Sequence, residues 1–108
     1  MTTLKDGVLH LATVSAPQML DTLDGLTRSL ARELGPEIRV NAVAPGPILW
    51  PEDDSFDELA RQRVISHTLL KRAGEPADIA SAVHYLMAEA PYVTGQTLAV
   101  DGGRSVNL

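Results

Sequence analysis

The chain contains no cysteine, which excludes disulfide bonds, catalysis by a thiolate and cysteine-ligated zinc. Aromatic residues make up only 4% of its 108 residues. No apolar run approaches the roughly 20 residues that are needed to span a bilayer. Basic residues are outnumbered, with 9 lysines and arginines against 14 acidic residues. The resulting net charge of −5 argues against nucleic acid or an anionic membrane as a partner.

The residues that are present suit one small domain, because a hydrophobic fraction of 44% is enough to bury a core. The first seven residues are mostly polar, so we expect no secretory signal there. Together with the lack of cysteine, this favours the cytoplasm. His10, His67 and His84 lie far apart and show no metal-ligand spacing, so we expect no metal site.

Helical spacing of leucine predicts the longest element, a helix over residues 17–34. Ser15 and Gln18 form a capping-box pattern around Pro17, which suits a first turn, and Gly35-Pro36 is a typical stop. The leucines that we expect this helix to bury are Leu20, Leu23, Leu26, Leu30 and Leu34.

Two shorter helices are predicted further along, one over residues 55–67 and one beginning at Glu75-Pro76. Asp78 falls in the first turn of the second, where the helix macrodipole favours negative charge. The residues that we expect this helix to bury are Ile79, Val83, Leu86 and Met87.

Short apolar runs that include β-branched residues predict strands over residues 7–14, 37–44 and 96–100. The predicted order is therefore β-α-β-α-α-β. Strands that alternate with helices indicate an α/β fold, with a parallel sheet that helices cover on both faces.

The strand over residues 37–44 leads directly into a Pro-Gly corner at Pro45 and Gly46. Ligands of parallel sheets bind outside the carboxyl ends of the strands, and glycine allows the backbone to approach a ligand closely. The corner is thus a candidate binding site. Taken by itself, the corner is better explained as an ordinary turn.

Four blocks of sequence are similar to the C-terminal half of short-chain dehydrogenases/reductases. They are LTRSLARELGP (26–36), RVNAVAPG (39–46), LLKRAGEPADIASAVHYL (69–86) and VTGQTLAVDGG (93–103). The resemblance implies a partial Rossmann-type fold, the C-terminal half of a doubly wound parallel sheet. Residues 1–108 would form one truncated domain, with the family likeness strongest over 26–105. The loop at 47–52 resembles the bacterial pteridine reductase branch.

The same resemblance implies hydride transfer from NADP(H) to a pterin or dihydrofolate-like ring. Pro45 and Gly46 would border the nicotinamide, and the backbone of Ile48 would bond its carboxamide. Leu49 and Trp50 would belong to the substrate loop. For Trp50, a packing role or a contact between subunits is an equally open alternative.

The chain departs from the family at the catalytic positions, where the family has a tyrosine and, four residues later, a lysine. Counting back from residue 26 places these positions at Ala16 and Leu20, which cannot transfer protons. The catalytic serine would fall near Thr13 or Ser15. The Gly-rich turn that cradles the pyrophosphate is also missing from this sequence. We therefore predict no catalytic residue, and the missing turn argues against cofactor binding by this chain alone.

In the family, the helix that corresponds to residues 17–34 forms a dimer interface, and the last helix and strand form another. The resemblance therefore implies association with a second copy or with a full-length homologue through these segments. Three hypotheses stay open: an inactive C-terminal part of a reductase, a non-catalytic subunit of a full-length reductase, and a gene fragment without function.

Overall fold

The strand that carries the Pro-Gly corner lies in the middle of the sheet. The computed structural model describes the backbone of residues 2–5, 8–12, 17–46 and 58–106, and the side chains of residues 21–46 and 58–106. Its elements are β1 (Thr2–Lys5), β2 (Val8–Ala12), α1 (Pro17–Leu34), β3 (Arg39–Pro45), α2 (Glu58–Ser66), α3 (Pro76–His84), a π-helical turn (Tyr85–Glu89), β4 (Thr97–Val100) and a 3-10 turn (Arg104–Val106). The predicted order β-α-β-α-α-β is confirmed from β2 onward.

The described strands form one sheet in the order β1-β2-β3-β4. β3 pairs in parallel with β2 on one side and with β4 on the other. β1 is an addition to the prediction: it pairs antiparallel with β2, with Thr3 opposite His10. The Asp6-Gly7 dipeptide between two strand-like runs is a hairpin signal that could have indicated this strand.

One face of the sheet packs against α1. Leu23 of the helix and Val40 and Ala42 of β3 form the buried core on this side. Thr27 is fully buried and donates its hydroxyl to the carbonyl oxygen of Leu23 at 2.7 Å, which satisfies it within the helix. The prediction that Leu26 is buried was wrong, because the strip that faces the sheet passes through position 27. Leu26 is 48% exposed.

The other face of the sheet packs against α3 and the π-helical turn. Ile79 and Val83 are half-buried and Leu86 is buried, as their spacing predicted. Met87 was wrongly expected in this set, and its side chain is 37% exposed. The π-helical turn that begins at Tyr85 widens the last turn, which rotates the residues that follow it around the helix axis.

α3 begins where the sequence predicted. Asp78 accepts the amide of Glu75 through its side chain at 2.8 Å, and its own amide donates to the carbonyl oxygen of Glu75 at 2.9 Å. Pro76 occupies the first turn, where its missing N–H costs nothing.

Arg39, the first residue of β3, links the end of the π-helical turn to the sheet through side-chain hydrogen bonds. Its guanidinium donates to the carbonyl oxygens of Leu86 and Ala90 at 2.9 Å each. It also donates to those of Met87 and Val93 at 3.2 Å. Carbonyl groups at a helix end lack partners within the helix, and a planar cation with several donors satisfies them.

Asn41 holds the loop that leads into β4. Its side chain is fully buried, donates to the carbonyl oxygen of Val93 at 2.9 Å and accepts the amide of Gln96 at 3.1 Å. Next to it, the amide of Val40 donates to the hydroxyl of Thr94, and the amide of Gly95 donates to the carbonyl oxygen of Val40. The loop residues Thr94 and Gly95 therefore supply hydrogen-bond partners to the first part of β3, which β4 does not reach.

No helix in the part of the chain that the structure describes is both long enough and apolar enough to cross a membrane.

Asn41→Ala tests the contribution of this buried amide. The substitution leaves the amide of Gln96 without its partner and leaves the carbonyl oxygen of Val93 with Arg39 as its donor, so we expect the free energy of unfolding to fall by roughly 2 kcal/mol. Urea denaturation followed by circular dichroism measures the change. Gln96→Ala is the control, because its exposed side chain makes only a 3.4 Å contact with the carbonyl oxygen of Thr94 and should shift stability by less than about 0.5 kcal/mol. Equal effects of the two substitutions would contradict this interpretation.

Candidate functional site

The Pro-Gly corner lies at the carboxyl end of β3, where ligands of parallel sheets bind. Pro45 pairs with Val100, the last residue of β4, and the amide of Gly46 donates to the carbonyl oxygen of Val100 at 3.0 Å. Pro45 and Gly46 are both half-buried. One side of the corner is thus held by the neighbouring strand, and part of its surface stays open.

Asp101 explains why residue 46 is a glycine. A Cβ atom built on Gly46 would lie 2.5 Å from the Cα of Asp101 and 2.6 Å from its Cβ. Real Cβ atoms do not come this close to backbone, so any larger residue would force the two chains apart. The sequence predicted close approach to a ligand; the structure shows close approach to the backbone that follows β4.

The backbone after β4 turns sharply at Asp101, Gly102 and Gly103, a segment that we call the Asp-Gly-Gly turn. Both glycines have positive φ angles, +62° and +88°, which side-chain-bearing residues rarely adopt. The carboxylate of Asp101 accepts the amide of Gly103 at 2.9 Å and the amide of Ser105 at 3.0 Å. Aspartate commonly closes turns in this way.

Asp101 is ionised at neutral pH. Burial raises the pKa of its carboxyl group, but hydrogen bonds from the Ser105 hydroxyl and from the amides of Gly103 and Ser105 outweigh this effect. The net pKa lies below the ordinary value of 3.8. Asp101 is therefore a hydrogen-bond acceptor here and does not donate protons at neutral pH.

The segment after α2 meets the same turn. The amides of Leu69 and Leu70 both donate to the carbonyl oxygen of Gly102, at 2.9 and 3.0 Å. Thr68 is fully buried and donates its hydroxyl to the carbonyl oxygen of Ile65 at 2.8 Å. Between this segment, the start of α3 and the end of β4 lies a depression of about 480 Å³. Its volume is in the range of small-molecule sites.

The depression carries one pair of opposite charges. Arg72 donates to the carboxylate of Asp78 at 3.3 Å and to the carbonyl oxygen of Ala73 at 3.1 Å. The amide of Glu75 and then the guanidinium of Arg72 hold the pKa of Asp78 below its ordinary value. Both side chains are partly exposed, so the pair contributes little to stability.

The structure places two of the predicted site residues and leaves the others untested. Pro45 and Gly46 lie at the corner, as expected. Ile48, Leu49 and Trp50 lie outside the described residues.

The positions where the resemblance predicts the family's catalytic pair are not tested by the described residues. Ala16 is outside the described residues, and of Leu20 only the helical backbone is described. The two tyrosines of the chain, Tyr85 and Tyr92, are 47% and fully exposed. They belong to the segments that pack against Arg39 and Asn41, at the amino end of β3. The corner lies at the other end of this strand, roughly 20 Å away.

The described part of the site offers backbone amides, carbonyl oxygens and ionised carboxylates. Asp78 and Asp101 both favour the charged form, so neither is poised as a general acid. Sequence reasoning missed the role of Asp101, although an Asp-Gly-Gly run is a strong turn signal. It also missed Arg39 and Asn41, which a polar residue within an apolar strand could have indicated.

Comparison with known proteins identifies the family. Residues 21–105 match the family model described as Enoyl-(Acyl carrier protein) reductase. A dihydromonapterin reductase of Klebsiella pneumoniae subsp. pneumoniae is 46% identical over 82 residues, which is 76% of this chain and 33% of that protein. The chain spans about a third of the length of the curated relatives that it matches, 33–34% in the first of them.

Two solved structures share the fold. A mutant short-chain dehydrogenase/reductase of Serratia marcescens superposes with a TM-score of 0.75 at 31% identity, covering 94% of this chain and 47% of that one. A blue fluorescent protein from a metagenomic library, in complex with NADPH, superposes with a TM-score of 0.74 at 31% identity, covering 95% and 47%. These likenesses confirm the prediction of a partial Rossmann-type α/β fold. With a family match over residues 21–105, this chain belongs to the short-chain dehydrogenase/reductase family, in its pteridine reductase-like branch.

Proposed function

We propose that this chain is the C-terminal part of an NAD(P)H-dependent short-chain oxidoreductase that reduces a pterin or a dihydrofolate-like ring. The observation that carries the proposal is the Pro45-Gly46 corner, which lies at the carboxyl ends of two paired parallel strands inside the family match. The similarity to a dihydromonapterin reductase supports the substrate class, because dihydromonapterin is a pterin.

The cofactor proposed for this corner is NADP(H). Pro45 and Gly46 are half-buried and would form one wall of the cofactor pocket, against the edge of the flat ring. The backbone of Asp101 packs behind Gly46 and makes this wall rigid. Bound nicotinamide would supply the hydride. The backbone of Ile48 would bond its carboxamide, and Leu49 and Trp50 would contact the substrate. The solved relative in complex with NADPH supports this choice of cofactor.

The chain's own contribution would be one wall of the nicotinamide pocket and the groups that orient the ring. Protonation of the reduced ring needs a positioned acid, and the family's tyrosine and lysine positions hold Ala16 and Leu20 here. The described site residues supply no replacement. We therefore propose that the isolated chain is inactive and binds NADP(H) weakly. The lack of cysteine supports a cytoplasmic location as part of the same proposal.

The proposal of inactivity is tested by following NADPH absorbance in the presence of the purified chain and a dihydropterin or dihydrofolate. We expect no turnover above the blank, because the described site residues offer no acid poised for the proton transfer and positions 16 and 20 hold Ala16 and Leu20. The Klebsiella dihydromonapterin reductase serves as the positive control. Clear turnover by the 108-residue chain would overturn the proposal of inactivity.

A second candidate function is that of a non-catalytic subunit, which pairs with a second copy or with a full-length reductase. β4 is an edge strand of the described sheet, so one row of its backbone groups lacks a strand partner within that sheet. Leu98 on this strand is 38% exposed, and Leu26 on α1 is 48% exposed. The proposed surfaces are helix 17–34 and the last helix and strand.

Light scattering across a range of concentrations tests this association. We expect the chain to exceed the mass of a monomer and Leu26→Glu to return it to monomer, because a charge at the contact costs desolvation. Leu59→Glu is the control, since Leu59 is 66% exposed on α2, outside the proposed surfaces. A chain that stays monomeric and does not co-purify with a full-length reductase would exclude this function. Cooperative thermal unfolding would argue against the remaining hypothesis, a fragment without function.

A further inference from the structure

Three segments that are far apart in sequence meet at the Asp-Gly-Gly turn. They are the end of β4, the corner at Gly46 and the residues after α2, 68–70, which we call the return segment. We propose that this turn sets the position of the corner relative to the return segment, with Asp101 as the positioning residue. The positioning is a property of the ligand-free chain. Its bearing on the nicotinamide rests on the function proposed above.

At the corner, the contact is backbone to backbone. The amide of Gly46 donates to the carbonyl oxygen of Val100, and the Cα of Asp101 occupies the space where a side chain of residue 46 would begin. A displacement of Asp101 therefore moves the corner directly, because no flexible side chain lies between them to absorb it.

At the return segment, one carbonyl group makes the connection. The oxygen of Gly102 accepts from two successive amides, those of Leu69 and Leu70. A Cβ atom on Gly103 would lie 2.8 Å from the side chain of Leu69, so this contact is also tight. No residue of α2 is fully buried, and these two hydrogen bonds join the segment after its carboxyl end to the turn.

Asp101 holds the turn in the shape that both contacts require. Each of its carboxylate oxygens accepts one backbone amide, from Gly103 and from Ser105. The charged groups that share the depression with it are Arg72 and Asp78, which pair with each other, and the neighbouring Arg104 is exposed. The negative charge of Asp101 is therefore satisfied by the amides of Gly103 and Ser105 and by the Ser105 hydroxyl.

Hydrogen exchange in the Asp101→Asn variant tests the proposal. An asparagine retains one oxygen acceptor and loses the other, so the turn loses about one hydrogen bond. We expect the protection factors of the Gly46, Leu69 and Leu70 amides to fall by roughly five- to tenfold. The amide of Gly95, at the other end of β3, should keep its protection.

Asp78→Asn is the matched control. Asp78 is a second ionised carboxylate beside the same depression, but it caps α3, and its carboxylate accepts from Glu75 and Arg72. It should leave the protection of Gly46, Leu69 and Leu70 unchanged. An equal loss in both variants, or no loss in Asp101→Asn, would overturn the proposal.

A pH series separates positioning by the Asp101 carboxylate from a general loss of stability. Its pKa lies below 3.8, so its bonds are complete well above pH 3.8 and are lost as the pH falls through the folded-state value. Protection factors of Leu69 and Leu70, corrected for intrinsic exchange, should show this acid step in the natural chain and lack it in Asp101→Asn. Identical pH profiles would contradict the proposal. If the Asp101→Asn variant unfolds globally, the natural chain alone decides the test. The absence of an acid step in its protection factors would then contradict the proposal.

Gly46→Ala probes the same connection from the corner. The added methyl group collides with the Asp101 backbone, and the three atoms nearest to it all belong to Asp101, so we expect lower protection at Leu69 and Leu70 through the turn. Gly25→Ala is the control, because no atom of another part of the chain lies within 4 Å of a Cβ at that position. Unchanged protection at Leu69 and Leu70 in Gly46→Ala would show that the corner and the return segment are independent.

The positioning role and the proposed function can be refuted independently, the first by hydrogen exchange and the second by NADPH turnover. All of the exchange experiments use the ligand-free chain. Altered exchange in the predicted amides together with clear NADPH turnover by the chain would uphold the positioning role and overturn the proposed inactivity. Exchange that is unaltered in the variants, with no turnover, would overturn the positioning role and leave the proposed function standing.

Discussion

The buried strand β3 needs a hydrogen-bond partner for every backbone group, and the rest of the described structure depends on how these partners are provided. Five of its seven residues are buried, so water cannot serve them. β2 pairs with one side. On the other side β4 pairs with the carboxyl half, while Thr94 and Gly95 serve Val40 at the amino end. Arg39 and Asn41 then fix the loop and the helix end that make this pairing possible.

The hydrogen bonds around β3 explain in physical terms why separate blocks of sequence match the family together. The block that contains Arg39 and Asn41 and the block at 93–103 match the family separately in sequence, yet in the folded chain they form one hydrogen-bonded unit. The same is true at the opposite end of β3, where Gly46 and Asp101 share one space. Membership of the short-chain dehydrogenase/reductase family therefore reflects a set of mutual contacts, and the proposed nicotinamide wall is one product of them.

Several elements could be predicted because their signals are local. α1 begins at Pro17 and ends before Gly35, and α3 begins after Glu75, as the capping residues indicated. The corner at Pro45 and Gly46 was equally plain. The hairpin strand β1 was missed although Asp6-Gly7 is a local turn signal, because the polar N-terminal residues obscured a strand of four residues.

The sequence by itself determined the succession of strands and helices from β2 onward and the position of the Pro-Gly corner. These features depend on residue type and on spacing along the chain. Only the tertiary structure decided that Thr27 is buried and Leu26 exposed, and that Gly46 makes room for Asp101. Such outcomes depend on which surfaces meet across long loops, and local periodicity carries no information about a neighbour that comes many residues later.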